Sequence, residues 1–122
     1  MLPGGGREAG ETSEDCCVRE IEEETGLLAE PLRHFLTINE YYEECRYITC
    51  YFVCRITGIG RTHLTEEEVR VRLRPEWLPF SAALEIFSRH ADYAGTDEER
   101  RGLYLREYNA LTEWARAAEK ED

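Results

Sequence analysis

Arg19-Glu20-Ile21-Glu22-Glu23-Glu24-Thr25-Gly26-Leu27, preceded at fixed intervals by Gly5 and Glu11, is the stretch whose reading decides the fold. The run from Thr12 to Thr25 carries helix signals at both ends. Thr12 or Ser13 can cap the N-terminus, Glu14 and Asp15 suit its partial positive charge, and Gly26 can supply a left-handed residue at the C-terminus. Cys17 and Ile21, four apart, form a narrow apolar stripe suited to packing on a sheet. Glu20, Glu23 and Glu24 fall at i, i+3 and i+4 and share another face.

Three carboxylates on one face repel each other, and a helix that needed only solubility would intersperse lysines. A divalent cation relieves the repulsion. Ligands that are all oxygen favour magnesium, with manganese as a substitute, and magnesium commonly binds substrate phosphates together with retained waters. The Gly4-Gly5-Gly6 loop ahead of the helix can bring backbone close to a metal or a phosphate, because glycine has no side chain to obstruct it. Glu11 and Arg19 can then hold the glutamates from behind.

Gly5, Glu11, Arg19, Glu20, Ile21, Glu23, Glu24, Gly26 and Leu27 together fill every fixed position of the pattern G-x5-E-x7-R-E-U-x-E-E-x-G-U, where U is aliphatic, and so the chain resembles the Nudix hydrolase family. The resemblance implies a Nudix-type α/β/α sandwich with a mixed sheet. It also implies Mg2+ (or Mn2+) held by Glu20, Glu23 and Glu24, with Glu23 and Glu20 as the catalytic carboxylates and Gly5, Gly6, Glu11 and Arg19 as supporting residues. The implied reaction is attack of metal-activated water on a nucleoside diphosphate linked to another moiety, with a nearby carboxylate accepting the proton. The alternatives are a catalytically weak nucleotide-binding or regulatory domain, and a truncated fragment that forms dimers.

Family members carry strands before this box, where the present chain has four residues. The expectation is therefore an N-terminally truncated domain, a start that lies further upstream, or a sheet completed by another subunit. An open sheet edge invites pairing with a second chain, which makes a homodimer the expected assembly.

With 122 residues and 42% hydrophobic content, the chain can bury a modest core as one domain spanning residues 1–122. A net charge of −11 disfavours nucleic acid and anionic membrane as partners, and the resemblance implies a small-molecule nucleotide as substrate. No stretch approaches the length of an apolar membrane span and no secretory leader opens the chain, so a cytoplasmic protein is expected. Five cysteines without a CxxC pair suggest neither a zinc site nor a disulfide framework, and Cys50 and Cys54 read as small core residues flanking Phe52.

Beyond the box, Leu32 to Glu40 and Arg46 to Ile56 read as a hairpin around the polar turn Tyr41-Tyr42-Glu43-Glu44, with Gly58 and Gly60 ending the second strand. Val69, Val71 and Leu73 alternate with Arg70, Arg72 and Arg74, which suggests a third strand with an arginine face. A helix from Ser81 to His90 follows. A longer one then starts at a Thr96–Glu99 capping box and presents Tyr104, Tyr108, Leu111, Ala115 and Ala118, with Glu119 to Asp122 fraying.

Glu66, Glu67 and Glu68 read either as a source of one further metal-binding or base carboxylate or as a helix start capped by Thr65. Glu40 is a weaker candidate of the same kind. Tyr41 and Tyr42 could stack on a base, and Trp77 reads as the hydrophobic anchor of the helix that follows it. His34, His63 and His90 follow no ligand spacing and stay outside the site.

Overall fold

In a computed structural model, which describes residues 1–121 and side chains through residue 118, the chain forms two compact units. The box unit comprises residues 2–34 and 52–76, and the helical unit comprises Met1 with residues 35–51 and the described residues from 77 onward. A single antiparallel hairpin contributes to both. Its strands are β1 (Leu27–Tyr41) and β2 (Arg46–Ile59), and together they make up the sheet of the described residues.

The hairpin turns at residues 42–45, where the Tyr42 amide donates to the Cys45 carbonyl at 2.8 Å and the Tyr42 and Tyr47 rings meet edge to face. Both strands are longer than their β-branched and aromatic runs suggest. Gly58 lies inside β2 rather than ending it, packed against Leu28 with only ordinary contact distance to spare.

In the box unit, α1 (Ser13–Thr25) starts at a capping box made by Thr12 and Asp15 and stops at Gly26, whose φ of 77° is the left-handed conformation that glycine adopts without penalty. Its apolar stripe packs on β2 as expected, with the Cys17 and Cys54 sulfurs 3.6 Å apart. Burial pushes the Cys17 thiol up to about 12. All five cysteines are free thiols.

The stretch read as a third strand, Val69 to Arg74, forms no strand: its first two residues end a short helix, α2 (Glu66–Arg70), and a turn follows. Thr65 and Glu68 exchange the two hydrogen bonds of a capping box, three glutamates occupy the positive end, and Arg70 pairs with Glu67 one turn back. These local bonds outweigh the Val/Arg alternation, which had no neighbouring strand to satisfy. Val69 and Val71 are consequently exposed, and Arg72 takes a positive φ of 56°, so Arg70, Arg72 and Arg74 form no common strand face.

The helical unit contains α3 (Phe80–Ser88), a 3-10 turn (Arg89–Tyr93) and α4 (Glu98–Glu121). α3 begins one residue earlier than Ser81 and has no side-chain cap. Pro79, with φ preset near the helical value, is its N-cap, and its carbonyl accepts the first amides. The cap of α4 is also displaced: Asp97 accepts from the Arg100 amide at 3.0 Å, while the Thr96 hydroxyl donates to the Tyr93 carbonyl. Of the four residues expected to fray, Asp122 lies outside the described residues, and the backbone of the other three is helical.

Tyr104 packs edge to face on both Phe87 and Tyr93, Tyr108 tilts against His90, and Trp114 meets Phe80 at 5.1 Å. The anchor expected of Trp77 is thus supplied by Phe80 and Trp114. Trp77 is 77% exposed, because Pro79 starts the helix only after it has left the packed surface. Glu107 lies on the same face of α4 as Tyr104, Tyr108 and Leu111 and is almost fully buried, which apolar periodicity does not anticipate.

Candidate active site

The box residues converge on one guanidinium. Arg19 donates from Nε to Glu11 Oε2 at 2.7 Å and from Nη2 to Glu11 Oε1 at 3.1 Å, a bidentate pair. Its Nη1 reaches Glu20 Oε1 at 2.9 Å and Glu23 Oε2 at 3.1 Å, and its Nη2 also donates to the Gly6 carbonyl at 2.9 Å. Glu8, which sequence spacing does not single out, adds a longer ion pair at 3.7 Å. Hydrogen bonds from Arg19 hold the Glu11 carboxyl down at about 2, and the same carboxylates push the Arg19 guanidinium up.

The glycine loop closes over this helix for steric reasons that differ from residue to residue. A Cβ at Gly5 would collide with the Glu20 carboxyl group, whereas one at Gly6 or Gly4 would meet open space. Gly5 also accepts from the Cys16 thiol at 3.5 Å, and the Gly4 amide donates to Glu24 Oε2 at 3.1 Å. Gly5 therefore leaves room for the Glu20 carboxyl group, and Gly4 and Gly6 serve through their backbone.

Glu24 is the carboxylate that Arg19 does not reach within hydrogen-bonding distance. Burial first, and then the charges of Glu20, Glu68 and Glu23, raise its pKa to about 7 against the lowering effect of the Gly4 amide. Of the three candidates on α2, Glu68 is thus the one that acts on the box. Glu67 is engaged by Arg70. Glu40 belongs to the helical unit, where it pairs with Arg106.

The structure therefore brings together Gly5, Gly6, Glu11, Arg19, Glu20 and Glu23, with Glu24 held by the Gly4 amide, while Glu68 bonds to Thr65 and Glu67 to Arg70 within α2. Among the described residues no group of three or more His, Cys, Asp or Glu side chains stands ready-spaced around one cation. The Arg19 guanidinium occupies the space between Glu20 and Glu23. The donor set nevertheless fits a hard divalent cation, because surplus negative charge gathers at Glu24 and every available side-chain donor is an oxygen. No helix among the described residues is long and apolar enough to cross a membrane.

The sequence from the first residue through the start of α4 agrees with this geometry as a whole: a family model described as the NUDIX domain matches residues 1–98. That span includes the loop, the box helix, the hairpin and α2. The chain belongs to the NUDIX family, hydrolases of nucleoside diphosphate derivatives whose domain is an α/β/α sandwich.

Proposed function

We propose that this protein is a Mg2+-dependent pyrophosphohydrolase of a nucleoside diphosphate linked to another moiety, with Mn2+ able to replace Mg2+. The observation that carries the reading is a complete box helix on which Glu20 and Glu23 converge on Arg19 while Glu24 is held instead by the Gly4 amide of the glycine loop. Glu20, Glu23 and Glu24 would hold the metal. When bound, Mg2+ supplies a water of lowered pKa and offsets charge on the diphosphate. Glu23 and Glu20 are the carboxylates assigned to proton transfer, and Arg19, itself anchored by Glu11, fixes their direction. Gly5 keeps the space that the Glu20 carboxyl group needs, and the Gly4 amide orients Glu24.

The natural working form is a single-domain homodimer in the cytoplasm. The dimer is supported by a two-stranded sheet with two open edges and by exposed apolar side chains along it, among them Leu32, Ile48 and Ile59, the last 86% exposed. Solution mass tests it: a monomer at micromolar concentration would remove this element of the proposal. The reaction is tested by assaying phosphate and nucleotide products from a panel of nucleoside diphosphate derivatives with and without Mg2+. Glu20→Gln should abolish metal-dependent turnover. Retained nucleotide binding without turnover in the native chain would favour a regulatory domain instead.

A further inference from the structure

The box pattern leaves position 17 unspecified, and the residue there makes a contact that the proposed reaction does not use. From α1 the Cys17 sulfur meets that of Cys54 on β2 at 3.6 Å, across a sequence separation of 37 residues. Both cysteines belong to the box unit and both are only partly buried. The other three thiols are directed elsewhere. The Cys16 thiol donates to the Gly5 carbonyl at 3.5 Å, the Thr37 hydroxyl donates to Cys50 Sγ at 3.9 Å, and Cys45 is exposed at the hairpin turn.

Two thiols in contact differ from two aliphatic side chains in one respect, which is that their sulfurs can bond. A disulfide brings the sulfurs to about 2.05 Å, so each has to move by less than about 1 Å from where it stands. Burial holds both thiols above the usual cysteine range. The pair therefore reacts slowly at neutral pH and stays reduced until oxidant persists.

We propose that Cys17 and Cys54 form a reversible redox site, which hydrogen peroxide oxidises to an intrachain disulfide that fastens the box helix to β2. One thiolate attacks a peroxide oxygen, the O–O bond breaks, and a sulfenic acid forms as hydroxide leaves and takes up the thiol's proton to become water. The second thiolate then attacks that sulfur, the S–S bond forms, and the sulfenic oxygen leaves as a second water. The two sulfurs give up two electrons between them, and a thiol reductant returns them by exchange. The closed form ties α1, which carries Glu20, Glu23 and Glu24, covalently to β2. It also restricts the unfolded chain, so the oxidised protein should resist unfolding better than the reduced one. The proposal does not depend on the metal or the substrate that the box takes.

The test exposes the full chain to excess hydrogen peroxide, blocks the remaining thiols with an alkylating agent in denaturant, and maps the peptides without reduction. The expected product is a single chain lighter by two hydrogen atoms, with the Cys17 and Cys54 peptides joined. Dithiothreitol should restore the starting mass, and the joined form should melt about 5 °C or more above the reduced chain. Cys54→Ser should remove both the cross-link and the rise in melting temperature, and Cys54→Ala replaces it if serine at this packed position prevents folding. Cys45→Ser should leave both unchanged.

Recovery of Cys17 and Cys54 as alkylated thiols would overturn the proposal, whether or not Cys45 had been oxidised. So would cross-links between chains in place of the internal one, or sulfinic and sulfonic acids at these two positions without a disulfide. A joined pair that melts no higher than the reduced chain would overturn the fastening role.

Discussion

Arg19 in the box unit faces four carboxylates, Glu8, Glu11, Glu20 and Glu23, whereas Arg106 in the helical unit faces two, Glu40 and Glu107. The helical cluster is close to balanced and deeply packed. Tyr51 donates to Glu107 Oε1 at 3.4 Å, Arg106 donates to the same oxygen at 3.1 Å, and burial pushes the Glu107 carboxyl up. The box cluster is neither balanced nor closed, since Glu24 and Glu68 add charge that one arginine does not offset. The difference separates a polar cluster that fixes packing from one that needs a further cation, although both are built from arginine and glutamate.

The comparison breaks first at Glu24. Glu24→Gln should nearly abolish metal-dependent turnover, because it removes a proposed ligand of the metal that activates the attacking water. Without added metal the same variant should melt no lower than the native chain, because it removes a repelled, half-buried charge. A thermal melt alongside the kinetic assay checks both halves.

Glu107→Leu should show the reverse pattern. It strips the Tyr51 hydroxyl and Arg106 of a buried acceptor and should cost about 2–3 kcal/mol of stability. Turnover per folded molecule should stay near native. Urea unfolding and active-site-normalised rates distinguish this from a change at the box.

Gly5→Ala sharpens the contrast. The added methyl meets only the mobile end of Glu20, so it should displace that carboxyl group at little cost to the fold. Turnover should fall about tenfold or more through misplacement of the ligand, with a melting temperature within about 2 °C of native.

The pH dependence gives the smallest effect and has opposite signs for two box residues. Glu24, raised to about 7 in the folded chain, contributes most to stability at low pH, and that contribution declines as pH rises from its ordinary value of 4.5 through about 7. Glu11, lowered to about 2, contributes stability above its ordinary value that is lost as pH falls from 4.5 towards 2. Mn2+ should bind more tightly as pH rises through about 7, because the cation must displace the Glu24 proton. Melts from about pH 2 to 8 would show the two stability trends, and Mn2+ titrations from about pH 5 to 8 would show the change in binding.

The box was legible because its chemistry is local. Thr12, Gly26, Arg19 and the i, i+3, i+4 glutamates act within or at the ends of one helix, and Gly5 and Glu11 lie in the segment just before it. The NUDIX match and the hairpin agree with that reading. What the sequence concealed was settled by competition or by distance along the chain. At Val69 to Arg74 the alternation suggested a strand, but the Thr65–Glu68 cap was stronger in the absence of a neighbouring strand.

Trp77 looked like an anchor until Pro79 placed the helix start beyond it, and Glu107 was hidden because a charged residue on an apolar face becomes intelligible only when Tyr51 and Arg106 are beside it. Glu66, Glu67 and Glu68 were equivalent in sequence. Only the helix distinguished them, turning Glu67 to Arg70 and leaving Glu68 to act on Glu24.

The most direct test of the central claim is hydrolysis of nucleoside diphosphate derivatives in a Mg2+ titration, with the native chain and Glu24→Gln compared at equal concentration and oligomeric state. The account predicts product formation that rises with Mg2+ in the native chain and is nearly abolished in the variant. Equal turnover by the two proteins, or turnover indifferent to Mg2+, would contradict it.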